Sequence, residues 1–314
     1  MPPEIVCVVG PTASGKTKMG VALAKRFGGE VVSVDSMQIY RGMTVGTAAP
    51  TTEEMEGVPH HMIAVADPAE NWSVARFTQA ADACIQDILR RGKLPVLVGG
   101  TGLYLDALVR GNSFAEGCAG TEVREALQKR MAQEGAAVLL EELRTIDPEA
   151  AAKLHLKDEK RILRALEVWQ ETGKTITAHN EETQAVPPRY KAAYIGLDFE
   201  NRDDLRARID RRVDVMVQNG LLQEVRDLLS SGIPAAATAL QAIGYKQFLA
   251  VEAGSATVEE AVEEVKLRSR QYAKRQLTWL RRNEAIHWIR WGKVPDFQLA
   301  LQKATEILTA LGLS

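Results

Sequence analysis

The chain of 314 residues is 46% hydrophobic and 25% charged, enough for one large or two modest domains with a real core. Its formal net charge of −2 excludes a protein that coats nucleic acid indiscriminately but leaves room for a local basic patch. No run of about twenty apolar residues marks a membrane span. The N-terminal Met1-Pro2-Pro3-Glu4 carries no basic-apolar leader, so a cytoplasmic protein without a membrane partner is expected.

The first predicted strand, Ile5 to Val9, runs into Gly10-Pro11-Thr12-Ala13-Ser14-Gly15-Lys16-Thr17 and then an apolar-periodic helix from Met19. This strand–loop–helix setting is the one a G-x-x-x-x-G-K-[ST] phosphate loop requires. Its glycines let backbone N–H groups converge on an anion at a helix N-terminus. Lys16 adds a point charge, and the Thr17 hydroxyl can ligate Mg²⁺. A second short strand, Val31 to Val34, ends at Asp35, which projects outside the carboxyl end of the sheet, where ligands bind in open α/β folds. Asp35 then either organises a metal, acts as a general base toward an acceptor, or simply caps the segment that follows.

A helix is expected from about Val74 to Arg91, then a strand at 94–98 ending in Gly99-Gly100-Thr101-Gly102. A nucleotide hydrolase usually places a Mg²⁺-binding acid at such a position. Here a hydroxyl and backbone donors suited to a diphosphate stand instead, unless the segment is a plain turn. From about Ser113 to Pro188 the periodicity is helical throughout, and a strand returns at Tyr194–Leu197. Helices are predicted over 203–229, 235–253 and 257–282, with another from about Asp296. The expected fold is α/β: a P-loop NTPase-like parallel sheet core (1–112 and 189–314), an inserted all-helical domain (113–188), and C-terminal helices. Cys7, Cys84 and Cys118 are far apart without C-x-x-C spacing, so neither a disulfide framework nor a zinc site is expected.

Lys266 to Arg282 holds seven basic residues and no acidic one. On a helix Lys266, Arg270 and Lys274 share a face, with Arg268, Arg275 and Arg282 on a neighbouring one, while Val265, Tyr272, Leu277 and Leu280 form the buried stripe. This face suits a polynucleotide backbone; the alternative is a solvated helix complementing its own dipole. Arg208 and Arg212, on an earlier helix, share a face that can reach a diphosphate or pair with Asp204 or Asp214.

Gly10–Thr17, the segment Ser33-Val34-Asp35-Ser36-Met37-Gln38-Ile39-Tyr40, Gly46-Thr47-Ala48, Gly99–Tyr104, Gly244-Tyr245-Lys246 and Arg270–Arg281 together resemble the bacterial tRNA dimethylallyltransferase family, in that family's order and over nearly the whole chain. The resemblance implies transfer of a dimethylallyl group from its diphosphate to N6 of the adenosine 3′ of the tRNA anticodon, with Mg²⁺ as cofactor. It maps the catalytic base onto Asp35 and the diphosphate contacts onto Thr101 and Arg212. It maps tRNA contacts onto Asp35, Ser36, Met37, Gln38, Thr101 and Arg124, onto Glu159, Lys160, Arg161, Ile162 and Leu163, onto Gln241, Gly244, Tyr245 and Lys246, and onto Arg270, Lys274 and Arg275. The partner is then a tRNA anticodon stem-loop bound by a monomer. The residues alone also admit a free-nucleotide isopentenyltransferase, a kinase of a small hydroxylated substrate, or a non-catalytic RNA-binding module.

Overall fold

A computed structural model describes residues 3–111 and 122–313 of the chain. Cys118 and the start of the expected insertion at Ser113 lie outside the described residues. The chain divides into two compact units, one of residues 1–109 with 189–314 and the other of 110–188.

The first unit is built on a parallel sheet of β1 (Ile5–Val9), β2 (Glu30–Val34), β3 (His60–His61), β4 (Pro95–Gly99), β5 (Ala192–Phe199) and β6 (Ile286–Trp291), in the order β3-β2-β4-β1-β5-β6. α1 (Lys16–Arg26) follows β1, α2 (Thr52–Met55) precedes β3, α3 (Val74–Arg90) precedes β4 and α4 (Gly102–Arg110) follows it. Alternation along β1 sends Ile5, Cys7 and Val9 into one core and Val6 and Val8 into the other. The first core joins Phe77, Ile85 and Ile88 of α3, and the second joins Met19, Val21 and Leu23 of α1. With both faces covered, the strands read as continuous apolar runs rather than alternating ones. At the amino end of β2, Glu30 is buried and accepts from Arg91, Lys93 and His61.

The second unit is helical: α5 (Glu122–Glu134), α6 (Ala136–Ile146), α7 (Pro148–Ala152), α8 (Glu159–Thr172) and α9 (Ile176–Ala185). It has its own core of Leu127, Leu139, Leu143, Ile162 and Leu166. Where the first unit's chain leaves at Val109 and resumes at Arg189, the next residue's amide, that of Tyr190, donates to the Val109 carbonyl at 3.2 Å. The Tyr190 hydroxyl, in turn, bonds Asp82 and Gln86 of α3.

After β5 come α10 (Arg202–Gln218), α11 (Leu221–Ser230), α12 (Tyr245–Glu252), α13 (Val258–Leu280) and, beyond β6, α14 (Phe297–Ala310). Two expected helices are corrected. The 203–229 helix breaks at Asn219-Gly220, where Gly220 takes φ +93°, a conformation that costs glycine little. The 235–253 stretch is mostly irregular, with one short 3₁₀ turn at Ala239–Gln241 and a helix only after Gly244 at φ +100°. β6 went unpredicted because its pattern, Ile-His-Trp-Ile-Arg-Trp, mixes polar and aromatic residues at a sheet edge.

Candidate active site

The loop after β1 is shaped by its glycines. Gly10 takes φ +152°, and a Cβ there would overlap the Leu197 carbonyl and the Ser14 hydroxyl. Gly15 (φ +90°) then leads into α1, which has no acidic residue in its first turn to compete for an anion. The Trp291 indole of β6 clamps the loop from behind by donating to the Ser14 carbonyl at 2.8 Å. Lys16 Nζ donates to the Pro11 carbonyl at 2.7 Å. Burial, and then repulsion from Arg212, lower the Lys16 ammonium to about 7, with Asp35 opposing.

Asp35 sits just past β2. Its Oδ1 accepts from the Met37 and Gln38 amides at 2.8 and 3.3 Å, so the capping role is present. Capping uses one oxygen only; Oδ2 receives no hydrogen bond among the described residues. Asp35 lines a cavity of about 360 Å³ with Lys16, Thr17, Thr47, Arg212 and Tyr272. Lys16, Thr17, Arg212 and Met216 also border a larger cavity of about 770 Å³, whose lining includes Lys18, Arg208 and Arg211.

β4 lies between β1 and β2, so its terminal loop falls between the phosphate loop and Asp35. The sequence offered Gly99–Gly102 as backbone donors or a turn; packing explains these glycines. A Cβ on Gly99 would overlap the Val34 backbone, one on Gly100 the Gln276 amide, and one on Gly102 the Trp279 ring. The Thr101 hydroxyl is buried beside the Tyr272 phenol without a well-formed hydrogen bond. Buried Ser14 Oγ and Arg212 Nε are likewise unpartnered. Ser14 belongs to the phosphate loop and Arg212 lines both cavities, so these two atoms are donors that an anion held by the loop could engage.

Arg208 and Arg212 both reach the phosphate loop and do not pair with Asp204 or Asp214. Arg208 Nε donates to the Ala13 carbonyl at 3.3 Å, and Arg212 donates to the Thr12 hydroxyl at 3.2 Å. Burial pulls the Arg212 guanidinium below its ordinary range, opposed by Asp35 and Glu54. Gln276 lies in the Arg270–Arg281 run that carries the resemblance, but its bond to the phosphate loop was not foreseen: its Oε1 accepts from the Thr12 amide at 2.8 Å. The available signal was a polar residue in phase with Ala273 and Leu280 on the buried side of α13.

The expected RNA contacts divide. Glu159, Lys160 and Arg161 are exposed at the start of α8, as are Gln241 and Lys246 in the first unit. Ile162 and Leu163, at 0% and 7% exposure, place their side chains in the helical unit's core. The Tyr245 side chain is fully buried, its hydroxyl donating to Glu224 at 2.6 Å. Gly244 is buried at the start of the same helix, while Ser36 and Met37 stay half-buried beside Asp35. Arg124 bonds the buried Glu167 at 2.9 Å, a carboxylate shared with Arg164, which ties α5 to α8.

Of the seven basic residues between Lys266 and Arg282, four are engaged by acids: Lys266 by Asp214, Arg268 by Glu264, Arg281 by Asp198, and Arg270 by both oxygens of Asp210 at 2.7 Å. Arg270 therefore joins α13 to α10 through Asp210. Lys274 and Arg275 are exposed and have no acidic partner among the described residues; Arg275 lies over the Tyr272 ring. Tyr272, expected in the buried stripe, is half-buried at the cavity wall.

Among the described residues no group of three or more His, Cys, Asp or Glu is placed to hold a metal, and no helix is long and apolar enough to cross a membrane. Cys7 and Cys84 are free thiols, both pushed up by burial.

The IPP transferase family profile matches residues 38–283, and the isopentenyl transferase profile matches residues 3–67. The chain is 46% identical over 296 residues to the tRNA dimethylallyltransferase of Caldanaerobacter subterraneus subsp. tengcongensis, covering 94% of this chain and 93% of that protein. It is 46% identical to the enzyme of that name from Geobacillus thermodenitrificans, over 92% of this chain and 90% of that protein. Among solved structures it is similar to the tRNA isopentenylpyrophosphate transferase of Bacillus halodurans (TM-score 0.74, 42% identity, 98% of this chain and 96% of that one). It is also similar to a eukaryotic dimethylallyltransferase acting on tRNA (TM-score 0.82, 29% identity, 98% of this chain and 79% of that one).

Proposed function

The chain belongs to the IPP transferase family, and from that premise we propose how its own residues carry out the reaction. It is a tRNA dimethylallyltransferase: it moves the dimethylallyl group of dimethylallyl diphosphate onto N6 of the adenosine 3′ of the anticodon, releasing diphosphate. The observation that carries the assignment of roles is that Asp35 lines one cavity with Lys16 and Thr17 of the phosphate loop and with Arg212, whose buried Nε is unpartnered.

An exocyclic adenine amine is a weak nucleophile, its lone pair drawn into the ring. As the N6–C bond forms, the C–O bond to diphosphate breaks and takes its electron pair with it. The N6 proton passes to Asp35, whose Oδ1 is fixed by two backbone amides and whose Oδ2 is free to receive it. Charge building on the departing oxygen meets the backbone donors of the loop, Lys16, Thr101 and Arg212. Lys16 and Arg212, each disfavoured as a cation by burial, gain the counter-charge they lack when the diphosphate binds. The residues fit Mg²⁺: the Thr17 hydroxyl borders both cavities and could ligate the ion beside phosphate oxygens and water, the ligands Mg²⁺ usually keeps. Bound there, Mg²⁺ would neutralise the leaving group.

The RNA side rests on exposed charges: Lys160 and Arg161 on α8, and Lys246, Lys274 and Arg275 in the first unit. Single-stranded loops are the usual targets of sequence-specific RNA recognition, and a base must leave its stack to reach an acid on a cavity wall. The anticodon stem-loop is thus the proposed partner of a cytoplasmic monomer. Incubation with unmodified tRNA or with AMP, each with dimethylallyl diphosphate and Mg²⁺, followed by nucleoside mass analysis, tests the reading. Prenylated adenosine from tRNA alone is expected. Product from AMP at equal efficiency, or ATP turnover without prenylation, would refute it.

A further inference from the structure

The motifs Gly46-Thr47-Ala48 and Gly244-Tyr245-Lys246 meet at one carboxylate that neither the chemistry nor the RNA contacts require. Glu224, on α11, accepts five hydrogen bonds. Its Oε2 takes the Thr44 amide (2.8 Å), the Thr44 hydroxyl (3.0 Å) and the Val45 amide (2.8 Å), while its Oε1 takes the Gly46 amide (2.9 Å) and the Tyr245 hydroxyl (2.6 Å). Three consecutive backbone N–H groups aimed at one point form an anion-binding concavity, here filled by the protein's own carboxylate. Gly46 is pressed so tightly onto Tyr245 and Leu221 that any Cβ there would collide with both. The turn is held by contact on one side and by charge-assisted hydrogen bonds on the other.

From this turn a chain of contacts leads to Asp35. The residues just beyond it, Thr47 and Ala48, present their carbonyls to the Gln38 side-chain amide, at 3.4 and 3.3 Å. Ser33 bonds the other end of that amide at 2.8 Å, and the Gln38 backbone amide donates to Asp35 Oδ1. Thr47 and Gly46 also line the smaller cavity with Asp35, and Val45 and Ala48 line the larger one. We propose that Glu224 is a positioning residue for the transfer step: it fixes the Thr44–Gly46 turn, and through Gln38 it sets the orientation of Asp35 against the acceptor. The proposal rests on Asp35 being the base.

The test compares Glu224→Gln, Tyr245→Phe and Asp35→Asn in the full-length enzyme, reading single-turnover prenylation of tRNA, pyrophosphate affinity and thermal unfolding. Glu224→Gln keeps the size but places an NH₂ group against donors, so the turn loses several of its bonds. A displacement of about 1 Å at a reacting group costs up to about a hundredfold in rate, so a fall of roughly ten- to a hundredfold is expected. Pyrophosphate affinity should change by less than about threefold, because the phosphate loop is a separate segment with its own clamps. Tyr245→Phe removes one donor of five and should lose only about threefold in rate, with the same indifference to pyrophosphate. If Glu224→Gln keeps the parent rate while Asp35→Asn is crippled, Glu224 positions nothing. If rate and pyrophosphate affinity fall by the same factor in Glu224→Gln, its role is general scaffolding and the proposal is overturned. If Asp35→Asn retains its rate, the assignment of the base fails, and the proposal fails with it.

Discussion

Pyrophosphate binding should draw a proton onto Lys16. In the ligand-free protein, burial and Arg212 lower this ammonium from 10.5 to about 7. At about 1.36 kcal/mol per pKa unit, the charged form carries a penalty of at most about 5 kcal/mol, part of which water in the open cleft relieves. Between these two values the unfolded chain holds a proton that the folded chain has released, so the contribution of Lys16 makes the apoprotein more stable as pH rises through the window. Below about pH 7 the penalty is fully present. A bound diphosphate supplies the missing counter-charge and raises the Lys16 value again. Near pH 8, one unit above the free value, about nine in ten Lys16 side chains are neutral, so binding takes up close to one proton there. Calorimetry in buffers of different ionisation enthalpy, on the parent and on Lys16→Met, isolates this proton from those of pyrophosphate itself. Loss of a charge-assisted contact should also weaken pyrophosphate by roughly 10- to 150-fold in Lys16→Met. Equal proton uptake by parent and variant would show that Lys16 does not face the ligand.

Asp35→Asn should bind pyrophosphate and tRNA normally while single-turnover prenylation falls about 10²–10⁴-fold; a near-normal rate would remove it as the base. Lys274→Ala and Arg275→Ala should each lower the log–log salt slope of tRNA binding by about 0.7–0.9, read by filter binding at several salt concentrations. Arg270→Ala should act differently. Its pair with Asp210 joins two helices, so a loss of about 1–3 kcal/mol in denaturant unfolding is expected, with little change in salt slope. Glu30 is held well below the ordinary carboxylate value, first by Arg91, against the cost of its burial. Its contribution is complete above about pH 4.5 and fades as pH falls further toward its folded value, so the difference in melting temperature between parent and Glu30→Gln should be constant from pH 8 to 5 and shrink below that.

The phosphate loop, the strands around it and Asp35 were legible because each is a local pattern: an apolar run, a glycine spacing, an acid at a strand end. Arg212 was legible in part, since helical spacing put it on one face with Arg208. The fates of the charges between Lys266 and Arg282 were not. Arg270 meets Asp210 and Arg281 meets Asp198 across long separations in the chain, and no helical periodicity encodes such partners. Gly100 and Gly102 looked like a ligand-binding turn, yet the groups that demand their small size, Gln276 and Trp279, arrive from the far end of the chain. Glu224 escaped notice for the same reason: nothing near it in sequence marks it as the acceptor for Thr44, Val45 and Gly46.

The hydrogen bond between the Tyr190 amide and the Val109 carbonyl makes the helical segment a graft with a closed base. A chain that leaves and returns at neighbouring points imposes almost no geometric demand on what lies between, and closure entropy grows only slowly with loop length. Such a junction tolerates exchange: 110–188 could be replaced by a short glycine-rich turn, with Tyr190 still anchored on α3 and the sheet still paired.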